Sequence, residues 1–505
     1  MAVKSLYAIK KFFGVSTTNE DKAFSYENIE LDSRKITSKD IFLVKKGTTS
    51  DGLDFIDDVI KKGVSLAIIA PRPDRKAVRD ILDKKNINYL FLTNTKPAAR
   101  FASWFYDNPS KRIRLIGVTG TNGKSTITTL VATMLNAIGF KCAVFGTIGY
   151  GFLGKLEKAN NTTLDEVYLN RELNKYIALG AEFAALEVSS IGIVQGRIDY
   201  LSFSIGAFTN LTRDHLDFHK SMENYKEAKR NFLDRIANTQ HIIVNSDDPV
   251  GREFAEAYEN CTCYGLEKSV ELANLKGRRF VLSKSVSYKD DGFSLTFSSS
   301  YGQSELIDVK LLGKFNVSNY LCAVAILQNL NISLKSIKEL SKAIKPINGR
   351  MECFYKKGKP RIIVDYAHTP DGVESALKAA RCHCHDGKII CVIGCGGDRD
   401  KGKRPIMAIK SCVFANWVIF TNDNPRTEDP MSIIDDMLLG VEKASNKEVI
   451  FDRAEAIKKA FSLAGANDCV LIAGKGHEDY QILKDETIHF SDREQACALL
   501  GINCD

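Results

Sequence analysis

Gly117-Val-Thr-Gly-Thr-Asn-Gly-Lys-Ser-Thr126 stands between an apolar run, Arg114 to Thr119, and a helix-patterned stretch, Ser125 to Ile138. A glycine-rich turn between strand and helix suits a phosphate-binding loop. Gly120 and Gly123 let successive N–H groups of Thr121, Asn122 and their neighbours, and the helix N-terminus, face a polyphosphate. Lys124 is placed to reach the β and γ phosphates, and the hydroxyl of Ser125 or Thr126 to ligate Mg²⁺. The strict G-x4-G-K-[ST] spacing is missed at one position, because Val118 stands where its first glycine belongs.

Outward from the loop, apolar strands alternate with helical stretches: Lys141 to Phe145, Glu182 to Val188, Phe203 to Thr209 and His241 to Asn245, with helices at Glu223 to Leu233 and Ser318 to Asn329. This rhythm predicts a parallel α/β sheet. Residues 265–312, with period-two stretches such as Phe293-Ser-Leu-Thr-Phe297, read as β-hairpins joined to it. The same alternation resumes after Gly349 at Arg361 to Asp365, Lys388 to Ile393, Trp417 to Thr421 and Asp468 to Ala473. Before the loop, Asp107-Asn-Pro-Ser110 marks a boundary. A chain of 505 residues holds about three domains of roughly 150 residues, and the boundaries fall as 1–110, 111–347 and 348–505.

Composition excludes several classes. Hydrophobic residues make up 44% and charged residues 26%, as in a globular protein with a sizeable core. The formal net charge of +8 is a mild excess, spread along the chain, which argues against a nucleic-acid partner and leaves anionic small molecules open. No apolar run reaches the length of a membrane span; Val64 to Ala70 reads as a buried strand. Residues 1–15 place Leu6, Ile9 and Phe13 on one helical face, with Lys4, Lys10 and Lys11 interrupting any signal-peptide core, so a cytoplasmic location is expected. Thirteen scattered cysteines suit reduced thiols. Cys382-His-Cys-His385 with Cys391 and Cys395 lacks the usual zinc-ligand spacing and reads as a polar turn entering a strand.

In open α/β sheets ligands bind beyond the carboxyl ends of the strands. Glu187 closes one strand and is placed to hold Mg²⁺ directly or through water. His215 follows another, in Asn210-Leu-Thr-Arg-Asp-His215.

With these residues in hand, the chain resembles the Mur ligases. Gly120 to Ser125, Glu187-Val-Ser-Ser190, Asn210 to His219, Gly349-Arg-Met-Glu352, Asp365-Tyr-Ala-His-Thr-Pro370, Gly394 to Arg404, Asp423-Asn-Pro-Arg426 and Gly474-Lys-Gly-His-Glu478 occur in the family's order. Leu31-Asp-Ser-Arg34 and Asp51-Gly-Leu-Asp-Phe55 extend the likeness through the first segment, toward the branch that adds the third residue of the peptidoglycan stem peptide. The resemblance implies an α/β protein of three domains: a smaller N-terminal one for the UDP-sugar, a central P-loop-type ATPase with a parallel sheet, and a C-terminal Rossmann-like one for the incoming amino acid. It implies ATP and Mg²⁺, an acyl phosphate on the D-glutamyl carboxylate of UDP-MurNAc-L-Ala-D-Glu, and attack on it by the amine of the third amino acid. A monomer is expected.

Carried over residue by residue, the resemblance gives Lys124, His215 and Lys229 catalytic roles, Lys229 being the position the family carbamylates, and makes Ser125, Glu187, His215 and carbamylated Lys229 the metal set. Arg350, Asp365 and His368 join Gly120 to Thr126 around ATP. Ser33, Asn161, Thr162, Thr163, Ser189, Gln195 and Arg197 match positions contacting the UDP-sugar-peptide. Arg399, Asp423, Asn424, Pro425, Arg426, Gly474 and Glu478 surround the incoming amino acid. An arginine at position 426 suits the second carboxylate of meso-diaminopimelate and repels the lone terminal ammonium of lysine. Ligation of lysine or another diamino acid, another Mur or folylpolyglutamate-type ligase, and a nucleotide-dependent binding protein are the alternatives. The chain departs from the family at Ile191, where a histidine is usual.

Overall fold

The computed structural model describes residues 3–47, 50–95, 97–237, 241–266, 277–384, 386–484 and 486–504. It resolves into two compact units, residues 1–116 with 140–204 and residues 117–139 with 205–505. The division falls within the strand Arg114–Thr119: in the first unit Arg114 N–H donates to the Glu182 carbonyl at 3.0 Å, and in the second Thr209 N–H donates to the Thr119 carbonyl at 2.9 Å.

The first unit contains a four-stranded parallel sheet, Asn28–Glu30, Asp40–Val44, Leu66–Ile69 and Asn88–Phe91 in that order. Side chains alternate across a strand, so Ile41, Leu43, Leu66 and Ile68 face the helices Leu6–Phe13 and Ala98–Phe105. Phe42, Val44, Ala67 and Ile69 face Ile56–Lys61 and Arg75–Lys84 on the other side. With both faces covered, the two central strands, Asp40–Val44 and Leu66–Ile69, read as largely continuous apolar runs. In the same unit Cys142–Gly146 pairs parallel with Phe183–Glu187 and antiparallel with Gly149–Phe152.

In the second unit Ile205–Phe208, Ile242–Asn245, Thr262–Leu266 and Arg279–Lys289 run parallel. Gly292–Ser299 then folds back on Arg279–Lys289, the hairpin expected within 265–312; residues 267–276 lie outside the described residues. The helix read from Ser318 begins at Lys314. It is buried on nearly every side, so its first turn carries no amphipathic signal.

The unit's second sheet has the order Glu352–Phe354, Arg361–Asp365, Cys469–Ala473, Ile389–Ile393, Trp417–Phe420, Lys447–Val449, all parallel except the first pair. Pro370–Cys382, Lys403–Phe414 and Pro430–Leu438 cover one face, and Arg453–Leu463 with Asp492–Leu500 the other. Arg453 and Asp492 form an ion pair at 2.7 Å with both side chains fully buried. The Arg453 guanidinium also donates to the Ala473 carbonyl at 3.0 Å, at the end of a central strand. Removing one partner of such a pair strands a charge at a cost of about 3–5 kcal/mol. Asp492→Ala is therefore expected to destabilise the protein by that amount in denaturant unfolding; a change under about 1 kcal/mol would show that the pair carries little.

The cysteines correct one expectation. Eleven are free, but Cys497 and Cys504 are disulfide-bonded. Gly501, left-handed at the end of the helix Asp492–Leu500, turns the tail back and brings Cys504 beside Cys497, a proximity that sequence spacing does not reveal. Near the other cysteines, His383 Nε2 accepts from Gly313 N–H at 3.0 Å and its Nδ1 meets the Lys289 carbonyl at 2.7 Å, so the ring joins segments of the fold. Residue 385 lies outside the described residues.

Candidate functional site

The loop after Arg114–Thr119 is held open by side chains from the neighbouring strand end. Asn122 N–H donates to Asn210 Oδ1 at 2.9 Å, Thr121 N–H to the Asn210 carbonyl at 2.9 Å, and the Thr209 hydroxyl to the Asn122 carbonyl at 2.6 Å. Gly120 has φ +145° and a Cβ there would collide with Thr209; Gly123 has φ +89° and would meet Asn319. Glycine is needed at both for conformation and for space. Gly123 caps the helix Lys124–Ala137, whose first N–H groups face the loop. Lys124 Nζ donates to the carbonyls of Gly120 and Thr121 at 2.9 and 2.7 Å, holding a positive charge at the loop's centre. Ser125 and Thr126 are buried, and Arg350 Nη2 donates to Ser125 Oγ at 3.0 Å.

Around this loop the second unit gathers most of the residues expected to handle ATP. His215 has φ +53°, and its Nε2 lies 3.4 Å from Asp214 Oδ2. Burial lowers the His215 pKa; Asp214 opposes this, while the charge of Lys124 reinforces it. Burial pushes the Asp214 carboxyl up, but His215, His368 and Lys403 outweigh it, and the carboxylate is favoured. His368 is held by the Tyr366 carbonyl at 2.8 Å, and burial, then Lys403, depress its pKa to about 4. Asp365 accepts from Met351 N–H at 2.8 Å; burial raises its carboxyl to about 6 against the pull of Arg350. Arg213 pairs with Asp400 at 3.4 Å, tying the His215 segment to the loop carrying Arg399.

Lys229 lies inside the helix Met222–Asp234, where sequence patterning alone suggests a solvated lysine. It is instead 1% exposed, with Nζ 4.4 Å from the Tyr225 ring centre. Burial, then the charge of Lys124, drive its pKa well below the ordinary lysine range, with Asp214 opposing, so the neutral amine is favoured. Tyr225, one helical turn away, also shares a 3.1 Å hydrogen bond with the Thr121 hydroxyl. Sequence reasoning missed Tyr225; its i, i+4 spacing to Lys229 was the available signal.

The residues expected around the incoming amino acid lie in the second unit, where its C-terminal strands end. Arg426, left-handed at φ +54°, directs Nη1 to the Gly397 carbonyl at 2.9 Å. Its loop, with Pro425, is braced by Glu428, which pairs with the fully buried Arg404 at 2.8 Å. Arg399 is exposed and donates to the Asp398 carbonyl at 3.1 Å. Asn424 Nδ2 donates to Glu478 Oε2 at 2.9 Å, and Gly474, φ +119°, passes close to Asp423. Lys475, absent from the expected set, is fully buried between Asn424 and Glu478, 3.2 Å from each.

The first unit gathers the other set. Glu187 is 1% exposed and accepts from Thr147 N–H at 2.9 Å and the Thr147 hydroxyl at 3.2 Å. The Thr147 hydroxyl also meets that of Thr162 at 3.1 Å. Thr163 donates to the Glu187 carbonyl at 2.8 Å, meets the Ser189 hydroxyl at 2.9 Å, and receives Arg197 Nη1 on its carbonyl at 2.6 Å. Ser189 caps the short helix Ser190–Val194, which carries the half-buried Ile191, while Asn161 and Gln195 are exposed. Ser33 lies in a separate turn of this unit, fixed by Lys62 donating to its carbonyl at 2.7 Å and by Glu30 accepting from Leu31 and Asp32 N–H at 2.9 and 3.1 Å. Among the described residues, no group of three or more His, Cys, Asp or Glu side chains is placed to hold a metal.

Family models match the chain three times in order: the Mur ligase family catalytic domain over residues 25–88, the Mur ligase middle domain over 118–327, and the Mur ligase glutamate ligase domain over 349–476. The chain is 41% identical over 478 residues to a Vibrio vulnificus (strain YJ016) protein named UDP-N-acetylmuramoyl-L-alanyl-D-glutamate--2,6-diaminopimelate ligase, covering 94% of this chain and 95% of that one. A solved structure of a protein of the same name superposes with a TM-score of 0.64 at 30% identity, covering 99% of each chain. A MurF structure from Acinetobacter baumannii shares the fold, with a TM-score of 0.66 at 16% identity over 99% of each chain. The architecture is that of a three-domain α/β protein with a central ATP-binding domain and a C-terminal Rossmann-like domain. By the length and strength of this similarity, the chain belongs to the Mur ligase family.

Proposed function

We propose that this protein is an ATP-dependent acid–amino-acid ligase that joins meso-2,6-diaminopimelate to the D-glutamyl carboxylate of UDP-MurNAc-L-Ala-D-Glu, in the cytoplasmic assembly of peptidoglycan precursors. Similarity to the Vibrio vulnificus ligase over nearly the whole chain supports the reaction. The observation that carries the choice of amino acid is the convergence of Arg426, Asn424 and Glu478 at one set of strand ends, a cation for a carboxylate beside a carboxylate for an ammonium. The domains are taken as 1–110, 111–347 and 348–505, and the protein as a monomer. Among the described residues no helix is long and apolar enough to cross a membrane.

The reaction brings a carboxylate to a triphosphate, so cations must offset like-charge repulsion. Lys124 and Arg350 do this from the protein, while the loop N–H groups orient the phosphates. Gly120 and Gly123, both at positive φ, give the loop the turn that suits a polyphosphate. Mg²⁺ characteristically takes one or two protein oxygens and completes its shell with phosphates and water. The hydroxyl of Ser125 and the carboxylate of Glu187 are hard oxygen donors of that kind, and His215 and a carbamylated Lys229 are likewise assigned to the metal. Mg²⁺, when bound, supplies further charge neutralisation to the phosphates. The neutral amine favoured at Lys229 is the form that adds to CO₂, losing a proton and becoming a carbamate anion.

In the second half of the reaction the amine of diaminopimelate attacks the acyl phosphate and phosphate leaves. Asp365, Arg350 and His368 are assigned to the nucleotide, and exclusion of water there protects the acyl phosphate from hydrolysis. Ser33, Asn161, Thr162, Thr163, Ser189, Gln195 and Arg197 are assigned to the UDP-sugar-peptide, and Arg399, Asp423, Pro425 and Gly474 to the amino acid.

The test is phosphate release from ATP with Mg²⁺ and UDP-MurNAc-L-Ala-D-Glu, run with diaminopimelate, lysine or ornithine, for the native protein and Arg426→Ala. Release is expected to require diaminopimelate. Loss of one charge-assisted hydrogen bond corresponds to roughly ten- to a hundredfold, so Arg426→Ala should raise the diaminopimelate KM by about that factor and leave the ATP KM unchanged. Release indifferent to the amino acid would overturn the ligase reading, and an unchanged diaminopimelate KM would overturn the role of Arg426.

A further inference from the structure

The segment Gly474-Lys-Gly-His-Glu478 follows the central strand Cys469–Ala473 and delivers one side chain that the proposed chemistry does not use. Lys475 is fully buried, with Nζ 3.2 Å from Asn424 Oδ1, 3.2 Å from Glu478 Oε2 and 3.7 Å from Asp423 Oδ1. Asp423 is 7% exposed, and Asn424 donates to the same Glu478 oxygen. A buried ammonium is costly unless it is paired, and this one faces two carboxylates and an amide oxygen.

We infer that Lys475 is a positioning residue for amino-acid selection: it offsets one of the two carboxylates, Asp423 and Glu478, and so leaves a pocket with a single net negative charge that receives one ammonium group of the substrate. The inference rests on the assignment of this cluster to the incoming amino acid. Without Lys475 the two carboxylates would share a buried site with no cation hydrogen-bonded to them, and Glu478 would more readily take up a proton instead of receiving the substrate.

The direction of that change follows from the surroundings. Burial, then Asp423, push the Glu478 carboxyl up, and Lys475 with Asn424 oppose this. Tyr366 and Tyr480 nearby have raised pKa values, through burial and then Glu478 itself, and bring no charge to the site. Arg453 acts on both carboxylates but is committed to Asp492, and Arg426 acts on the nearby Tyr480. Removing Lys475 therefore raises Glu478 further, and a higher pH restores its carboxylate.

The experiment measures KM for diaminopimelate from pH 6.5 to 8.5 in the native protein, Lys475→Met and Lys475→Arg, with ATP and UDP-MurNAc-L-Ala-D-Glu saturating. Lys475→Met is expected to raise KM about tenfold or more at pH 6.5, with the defect shrinking as pH rises, while the ATP KM stays native. Lys475→Arg, which keeps the charge, should restore most of the affinity and the native pH profile. A native diaminopimelate KM in Lys475→Met, or a loss in kcat alone with the native pH profile, would overturn the inference. If Lys475→Met does not fold, Lys475→Gln keeps amide donors for Asn424 and Glu478, removes the charge, and carries the same expectation. A native protein that releases phosphate without needing diaminopimelate would instead overturn the functional reading, so the two failures are separable.

Discussion

Lys124→Met should lower the turnover of ATP by at least about a hundredfold, because a preorganised cation facing developing phosphate charge typically contributes two to three orders of magnitude. The ammonium has no substitute within the loop: its carbonyl contacts at Gly120 and Thr121 put the charge at the centre of the turn, and the other contributors there are N–H dipoles. Binding of UDP-MurNAc-L-Ala-D-Glu, assigned to residues of the other unit, should remain near native in calorimetry. The check is kcat for ADP formation beside that titration. Turnover within a few-fold of native would remove Lys124 from the catalytic set.

Lys229→Ala should be nearly as damaging, with kcat lowered at least about a hundredfold, on the scale of losing an anionic group that organises the charge around a phosphoryl transfer. The structural basis is the burial of Lys229 beside Tyr225, which disfavours the ammonium and leaves an amine able to react with CO₂. Two readouts separate carbamate formation from simple packing. Native protein stripped of CO₂ should lose activity and regain it on adding bicarbonate, whereas Lys229→Ala should not respond. A ¹³C-carbamate resonance should appear in native protein given labelled bicarbonate and be absent from the variant. Full activity of native protein without bicarbonate, and no resonance, would leave Lys229 as a buried packing lysine.

The strands themselves were legible because their causes are local. Arg114 to Thr119 and Arg361 to Asp365 were read with the ends they have, and most others fell within a residue or two. Apolar runs bounded by glycine or polar residues carry that information in the chain. The start of the helix at Lys314 was missed because the helix is buried on nearly every side and lacks a continuous polar face to set its phase. The Cys497–Cys504 bond was missed because it depends on where Gly501 sends the tail.

The candidate site divides in the same way. Gly120, Gly123 and Lys124 announce themselves, since adjacent residues build one turn whose spacing is the signal. Lys229 and Lys475 do not, because a lysine's role depends on what surrounds its Nζ, and those neighbours come from other segments: Lys124 and Asp214 act on the first, while Asp423 and Asn424 lie against the second.

By itself the sequence determined the alternation of strands and helices, the phosphate loop, and the order of polar strand ends on which the family likeness rests. Only the tertiary structure decided which lysines are buried, which carboxylates share a cation, and how the Arg426 loop is braced on Arg404. Hydrophobic periodicity and turn chemistry act between near neighbours along the chain, whereas desolvation and Coulomb interactions depend on distances that folding alone sets.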